Sequence, residues 1–229
     1  EYYTIYIRNI STNELVTEKI EETSGSITFS LDDKYIFYSK LDENHRPRKI
    51  FRHKIGGGVK NDELVFEEKS EAFTVGINLS SDEKYYFIVS SDHNTSEQYY
   101  FDVNEITPIP KLIQKRKKGI LYSVNSWDGK FYNHTNEEAE DFKVDVSKTI
   151  QKPKWERYIP AKDEVLIGGC TFLKNWMIRS ETSNALNKLF VRKIGSEIED
   201  ELVFSDEKVY EPSISLIQRD RNTDQIYLS

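Results

Sequence analysis

Methionine and cysteine are almost missing from this chain of 229 residues: each occurs once, as Met177 and Cys170. A lone thiol has no internal partner, so no disulfide framework staples the fold, and a reducing compartment, the cytoplasm, is the expected location. Because Met177 is the only methionine, the chain is expected to be a piece of a longer protein. No apolar run approaches the ~18–20 residues that a helix needs to cross a bilayer, and no signal-peptide pattern opens the chain. Positive charge is in deficit. Lys and Arg number 32 against 39 Asp and Glu, a net −7 that argues against nucleic acid and anionic membrane as partners. Helical patterning is missing too: no window of a dozen residues carries an apolar stripe at helical spacing, and only the stretch 148–157 has room for a turn or two.

Catalytic and ligand-binding signatures are equally sparse. There is no G-x-S-x-G elbow; Thr23-Ser24-Gly25-Ser26 lacks the flanking glycines and reads as a strand entrance. The four histidines, His45, His53, His93 and His134, stand at no metal-like spacing and have no Cys nearby, so no metal and no cofactor is expected. Each reads as a surface or structural residue, and Cys170, after a Gly pair in an expected inner strand, as a buried, inert thiol. Gly56-Gly57-Gly58 is followed by no Gly-Lys-Ser/Thr and reads as a turn. The basic run Lys115-Arg116-Lys117-Lys118 reads as a solvated loop.

What the chain does have is rings. Aromatics reach 13% in a composition that is only 37% hydrophobic and 31% charged, enough to furnish a core and to argue against disorder. They recur with a period. A polar turn followed at once by an apolar strand stands at Asp32-Asp33-Lys34-Tyr35-Ile36-Phe37 and at Asp82-Glu83-Lys84-Tyr85-Tyr86-Phe87. It returns at Asp128-Gly129-Lys130-Phe131-Tyr132, Lys174-Asn175-Trp176-Met177-Ile178 and Asp224-Gln225-Ile226-Tyr227. The first strand residues, 35, 85, 131, 176 and 226, are 50, 46, 45 and 50 apart. A second register agrees. Phe51-Arg52-His53-Lys54-Ile55-Gly56 with Asp62-Glu63-Leu64-Val65-Phe66 recurs as Phe190-Val191-Arg192-Lys193-Ile194-Gly195 with Asp200-Glu201-Leu202-Val203-Phe204, at offsets of 139 and 138.

Within each unit, β-branched and aromatic residues are dense and turns come every few positions, the mark of short strands. Four strands in ~40–50 residues is the signature of a β-propeller blade, whose sheet must pack on neighbours to cover its faces. The expected fold class is therefore all-β, a partial β-propeller of four-stranded antiparallel blades. Whole blades are placed at about 26–67, 73–114, 119–160 and 164–205, with half-blades at 2–18 and 213–229, in one domain over 1–229. Trp176, at the position of Tyr35, Tyr85 and Phe131, is expected to pack between blades. Blade edges left unpaired would offer self-association.

No WD or kelch signature is present, which points to the divergent propellers of peptidases. The segments Tyr6-Ile7-Arg8-Asn9-Ile10, Asp42-Glu43-Asn44-His45-Arg46-Pro47-Arg48-Lys49-Ile50-Phe51-Arg52-His53-Lys54-Ile55-Gly56 and Asp62-Glu63-Leu64-Val65-Phe66-Glu67-Glu68-Lys69 resemble the propeller of the prolyl oligopeptidase family, and within it the oligopeptidase B (protease II) branch. Trp155-Glu156-Arg157-Tyr158-Ile159-Pro160 and Phe172-Leu173-Lys174-Asn175-Trp176 are similar to that family's succeeding blades. The resemblance implies a non-catalytic propeller that gates an α/β-hydrolase catalytic domain, in cis or in trans, and passes short peptides to it. The serine-protease triad would lie in that domain, and cleavage after Lys or Arg would be its activity. It also implies that the entrance to one inner strand faces the substrate, which here makes Glu21 and Glu22 the substrate-facing carboxylates. The competing reading is an autonomous propeller serving as a protein-protein interaction platform.

Overall fold

A computed structural model describes residues 1–105, 107–203, 212–216 and 223–228 of the chain. It divides into two compact units, 1–120 and 121–229. The first holds β1 (Tyr3–Arg8), β2 (Leu15–Phe29), β3 (Tyr35–Leu41), β4 (Pro47–Lys54) and β5 (Glu63–Glu67), hydrogen-bonded in that order as one antiparallel sheet. A second sheet follows, of β6 (Thr74–Leu79), β7 (Tyr85–Ser91), β8 (Ser96–Asp102) and β9 (Lys111–Gln114), again in chain order.

The second unit opens with β10 (Tyr122–Trp127), β11 (Lys130–Thr135), β12 (Lys143–Ser147) and β13 (Glu156–Ile159). Its next sheet is β14 (Leu166–Phe172), β15 (Trp176–Ser183), β16 (Leu186–Lys193) and β17 (Glu199–Glu201), and β18 (Ile214–Leu216) pairs with β19 (Ile226–Leu228). Among the described residues the only helix is a single 3-10 turn at Val59–Asn61, just after the three glycines. The stretch 148–157 forms no helix; Pro153 cannot donate a backbone hydrogen bond there, and bends lead into β13.

The recurring turn explains the period. Ser80 Oγ donates to Asp82 Oδ1 at 2.8 Å and accepts from the Lys84 and Tyr85 N–H groups at 3.1 and 3.0 Å. Ser30 repeats the clasp with Asp32 at 2.7 Å and the Tyr35 N–H at 2.9 Å. Asp33 and Glu83 take the left-handed conformation, φ 56° and 54°, that closes each turn.

Strand β3 shows why the strands read as continuous apolar runs. Ile36, Phe37, Tyr38 and Ser39 are all buried, although neighbours on a strand point to opposite faces. Ile36 and Tyr38 join Ile5 and Ile20 on one face, while Phe37 joins Val75, Tyr86, Ile88 and Phe101 on the other. Both faces are covered, so alternation disappears. In the second unit, Met177 enters the cluster of Trp127, Tyr132, Val144, Ile159, Ile167 and Phe172, and Ile178 the cluster of Leu173 and Leu189. Trp176, expected at the packing position, is only half-buried at the edge of the latter cluster; the deeply buried residue is the next one, Met177.

The segment expected as a half-blade at 2–18 is not a separate sheet. Strand β2 runs on through it: its first half pairs with β1 and its second half with β3, and Thr23 pairs with both Tyr3 and Lys40. Register shifts on both sides of Thr23 let the strand turn, so that Ile5 and Ile20 lie over Ile36 and Tyr38 while Ile27 pairs with Tyr38 at the sheet edge.

Candidate functional site

That turning point in β2 carries Glu21 and Glu22. Glu22 has φ 60° and Gly25 φ 82°, conformations that bend the strand outwards. Any Cβ on Gly25 would stand 3.0 Å from the Tyr3 ring, so glycine is required there on two counts. Thr23, fully buried, fastens the bend by donating from Oγ1 to the Tyr3 carbonyl at 3.0 Å. Glu21 and Glu22 are thereby left exposed; Glu22 pairs with Lys40 at 3.1 Å, and Glu21 makes no ion pair among the described residues.

The β3–β4 and β7–β8 turns and the β5–β6 linker gather at this end of the first unit. Asp42 Oδ1 accepts the N–H groups of Arg46 and Asn44, each at 2.9 Å, and Oδ2 meets Arg48 Nε at 2.8 Å. The Arg46 N–H, with lesser help from Asn44 and Arg48, outweighs desolvation and holds the Asp42 carboxyl below its usual value. Arg46 donates to the Ala72 carbonyl at 3.1 Å, and His45 packs on Tyr2 with ring centroids 4.3 Å apart. A shallow cleft of 520 Å³ opens there, lined by Arg46, Ala72, Thr74, Ser91, Asp92, His93 and Asn94. Asp92 is held ionised in the same manner as Asp42, chiefly by the Asn94 N–H and then by that of Thr95.

Next to Thr74 the chain hides a charged cluster. Arg116 Nη2 donates to Glu68 Oε2 at 2.6 Å and its Nε to Glu97, while the guanidinium lies 4.0 Å from the centroid of Phe73. Glu68 and Glu97 are each only 5% exposed. Burial pushes the Glu68 carboxyl up, but hydrogen bonds from Ser90, the Ser70 N–H and Arg116 overcome it and hold it low. Arg116 is thus no part of a solvated loop, as its basic run suggested. Two desolvated carboxylates need a cation, and the chain folds 116 back between them.

His53 is likewise structural. It is fully buried, with Nδ1 at 2.6 Å from Asp62 Oδ1 and Nε2 at 3.2 Å from Glu18 Oε1, and Tyr38 donates to the other Asp62 oxygen at 2.8 Å. His134 lies against Phe142, its Nε2 2.7 Å from the Ile167 carbonyl oxygen, and burial lowers its pKa.

In the second unit Arg179, with no exposed side-chain surface, bridges Glu181 and Glu199. Lys162 meets Glu181 at 2.6 Å and Arg192 meets Glu199 at 2.7 Å. Cys170 pairs across from Arg179, and desolvation pushes its thiol up to about 12. Among the described residues no group of three or more His, Cys, Asp and Glu side chains could hold a metal ion.

The comparisons place this architecture. The model of the prolyl oligopeptidase N-terminal beta-propeller domain matches residues 1–229. The chain belongs to the prolyl oligopeptidase family. Protease 2 of Moraxella lacunata is 35% identical over 181 residues, covering 73% of this chain and 26% of that protein. Dipeptidyl aminopeptidase BI of Pseudoxanthomonas mexicana is 24% identical over 217 residues, 93% of this chain and 30% of that protein. Among solved structures, oligopeptidase B from Leishmania major superposes with a TM-score of 0.87 at 21% identity, over 93% of this chain and 32% of that one. The chain is an all-β member of the family's propeller fold, and it spans between about a quarter and a third of the length of these relatives.

Proposed function

We propose that this chain is the substrate-gating, non-catalytic part of a cytoplasmic serine oligopeptidase like oligopeptidase B, whose α/β-hydrolase domain cleaves short peptides after Lys or Arg. The likeness to Protease 2 over 73% of the chain carries the reading. The end of the first unit supports it physically. Glu21 and Glu22 stand exposed on a bend that a buried threonine and a positive-φ glycine hold in place. Asp42 and Asp92 are kept ionised in the same unit, and Glu21 makes no ion pair among the described residues, so a cationic peptide has an exposed, uncompensated carboxylate to meet.

The test uses the full-length protein that contains this chain. Glu21→Gln/Glu22→Gln is expected to raise KM for short Arg- and Lys-peptides roughly 2–5-fold, with kcat little changed, because each exposed charge contributes about 1 kcal/mol or less. Removing Glu22 also frees Lys40, which adds repulsion of the same sign. An unchanged KM at low ionic strength would remove these residues from the path of the substrate.

A further inference from the structure

At the end of the β10–β13 sheet, where β10 turns into β11 and β12 leads to β13, a cleft of 450 Å³ is lined by Lys130, Val146, Ser147, Lys148, Thr149, Lys152, Lys154 and Glu156. Four lysines line one small cavity in a chain whose net charge is −7. None of the four makes a hydrogen bond or an ion pair among the described residues. Elsewhere ammonium groups pair with carboxylates, as Lys111 does with Glu105 at 2.7 Å and Lys162 with Glu181. Glu156 is the only carboxylate in the lining, so the cleft carries three positive charges in excess. Such a concentration of like charge raises the energy of the free protein, and a bound anion relieves it.

Lys130 opens β11, and the other three lysines stand on the loop between β12 and β13. Ile150 is buried and anchors its middle. Ser147 Oγ donates to the Thr149 carbonyl at 2.9 Å and accepts from the Thr149 N–H at 3.3 Å, which closes its first turn. Lys152 takes φ 54°, and Pro153 follows it with its ring-restricted φ, so the backbone reverses between Lys148 and Lys154 and brings both to one rim. The loop therefore loses little freedom when a ligand arrives.

We propose that this cleft binds a polyphosphate anion of triphosphate size. A concave site of this volume suits a small molecule. Ammonium groups act as point charges, and several of them around one small cleft suit a compact anion of high charge density, as a triphosphate is, better than the spaced carboxylates of an acidic peptide. The site lies in the second unit, and its binding test does not depend on the peptidase reading.

Isothermal titration calorimetry of this chain with inorganic tripolyphosphate, ATP and hexaglutamate tests it at 20 and 200 mM NaCl. Expected is saturable binding of tripolyphosphate at low salt that weakens roughly ten-fold or more at high salt, since several lysine–phosphate contacts form together. Equal affinity for ATP assigns the site to the triphosphate itself, and tighter ATP binding assigns it to a nucleotide. Lys148→Gln/Lys152→Gln/Lys154→Gln is expected to weaken binding about ten-fold or more, while Lys60→Gln/Lys115→Gln/Lys118→Gln, with the same change of net charge, leaves it intact. All six of these lysines are exposed, so both variants keep the fold, and circular dichroism checks that they do. No binding by the unaltered chain at low salt, an equal loss in the two triple variants, or tighter binding of hexaglutamate than of tripolyphosphate would overturn the proposal.

Discussion

Arg116 is the residue for which sequence and structure part most clearly. In the sequence it has three lysines for company; in the fold its partners are Glu97 and Glu68, 19 and 48 positions away. Sequence adjacency reports solvation, whereas burial of a carboxylate is settled by sheets that form far apart along the chain. Arg116→Ala leaves two carboxylates, each 5% exposed, without their cation. Breaking a buried pair in this manner costs about 3–5 kcal/mol, and the partly exposed Arg116 belongs at the lower end. The pH dependence follows from Glu68, whose pKa in the fold lies below its ordinary 4.5. Its contribution is complete above 4.5 and lost as pH falls through the folded value. The deficit of Arg116→Ala in urea unfolding is therefore expected to be large at pH 7 and to shrink toward and below about pH 4.5, where the stranded Glu68 carboxylate takes up a proton. A deficit that stays constant down to pH 3 would mean that Arg116 acts through its packing on Phe73 alone.

Elements were more legible than residues, because the hairpin turns are written locally. Asp-Asp-Lys-Tyr and Asp-Glu-Lys-Tyr mark the turns before β3 and β7, and the serine two positions upstream of each first acid closes them. The two copies differ in burial: Ser80 is 3% exposed, and Ser30 more so. Ser80→Ala is accordingly expected to cost about 1–3 kcal/mol in equilibrium unfolding and Ser30→Ala clearly less, since the groups released by the second can bind water. Equal losses would show that desolvation is not what separates them. Packing was read one residue off. In the first four units the first strand residue is recognisable by its ring, yet the next one, Ile36, Tyr86, Tyr132 or Met177, is more deeply buried, whereas in the β18–β19 pair Tyr227 is more exposed than Ile226. Hairpin propensity marks where a strand starts, not which face is covered first. Met177→Ala, at a site with no exposed surface, should cost about 2–5 kcal/mol. The joining of β1 to the first sheet was not legible either, because β2 passes from one partner to the other inside an unbroken strand and only Gly25 betrays the bend.

For the whole molecule, the family was legible through the 50, 46, 45 and 50-residue period together with a handful of strand sequences, both of which survive wherever blades must cover each other's faces. The candidate site was legible only as a segment. Glu21 and Glu22 could be named, but the clasp of Thr23 and the turns that gather beside them depend on pairings across sheets. The same pairings bear on chemistry. His53 has both ring nitrogens engaged by carboxylates and no exposed surface. His134 is committed to the Ile167 carbonyl, and no hydroxyl or thiol among the described residues is hydrogen-bonded to His93. Cys170, its thiol pushed up to about 12, holds almost no thiolate at neutral pH. Nucleophilic catalysis needs a nucleophile, a base within reach and a group that orients the base, and these residues do not supply the three together. The isolated chain is therefore expected not to hydrolyse Arg- or Lys-esters or peptides, and to take no label from a fluorophosphonate probe. Turnover that copurifies with the chain and labels one of its own serines stoichiometrically would place a catalytic centre in this propeller and end the reading of it as a gate.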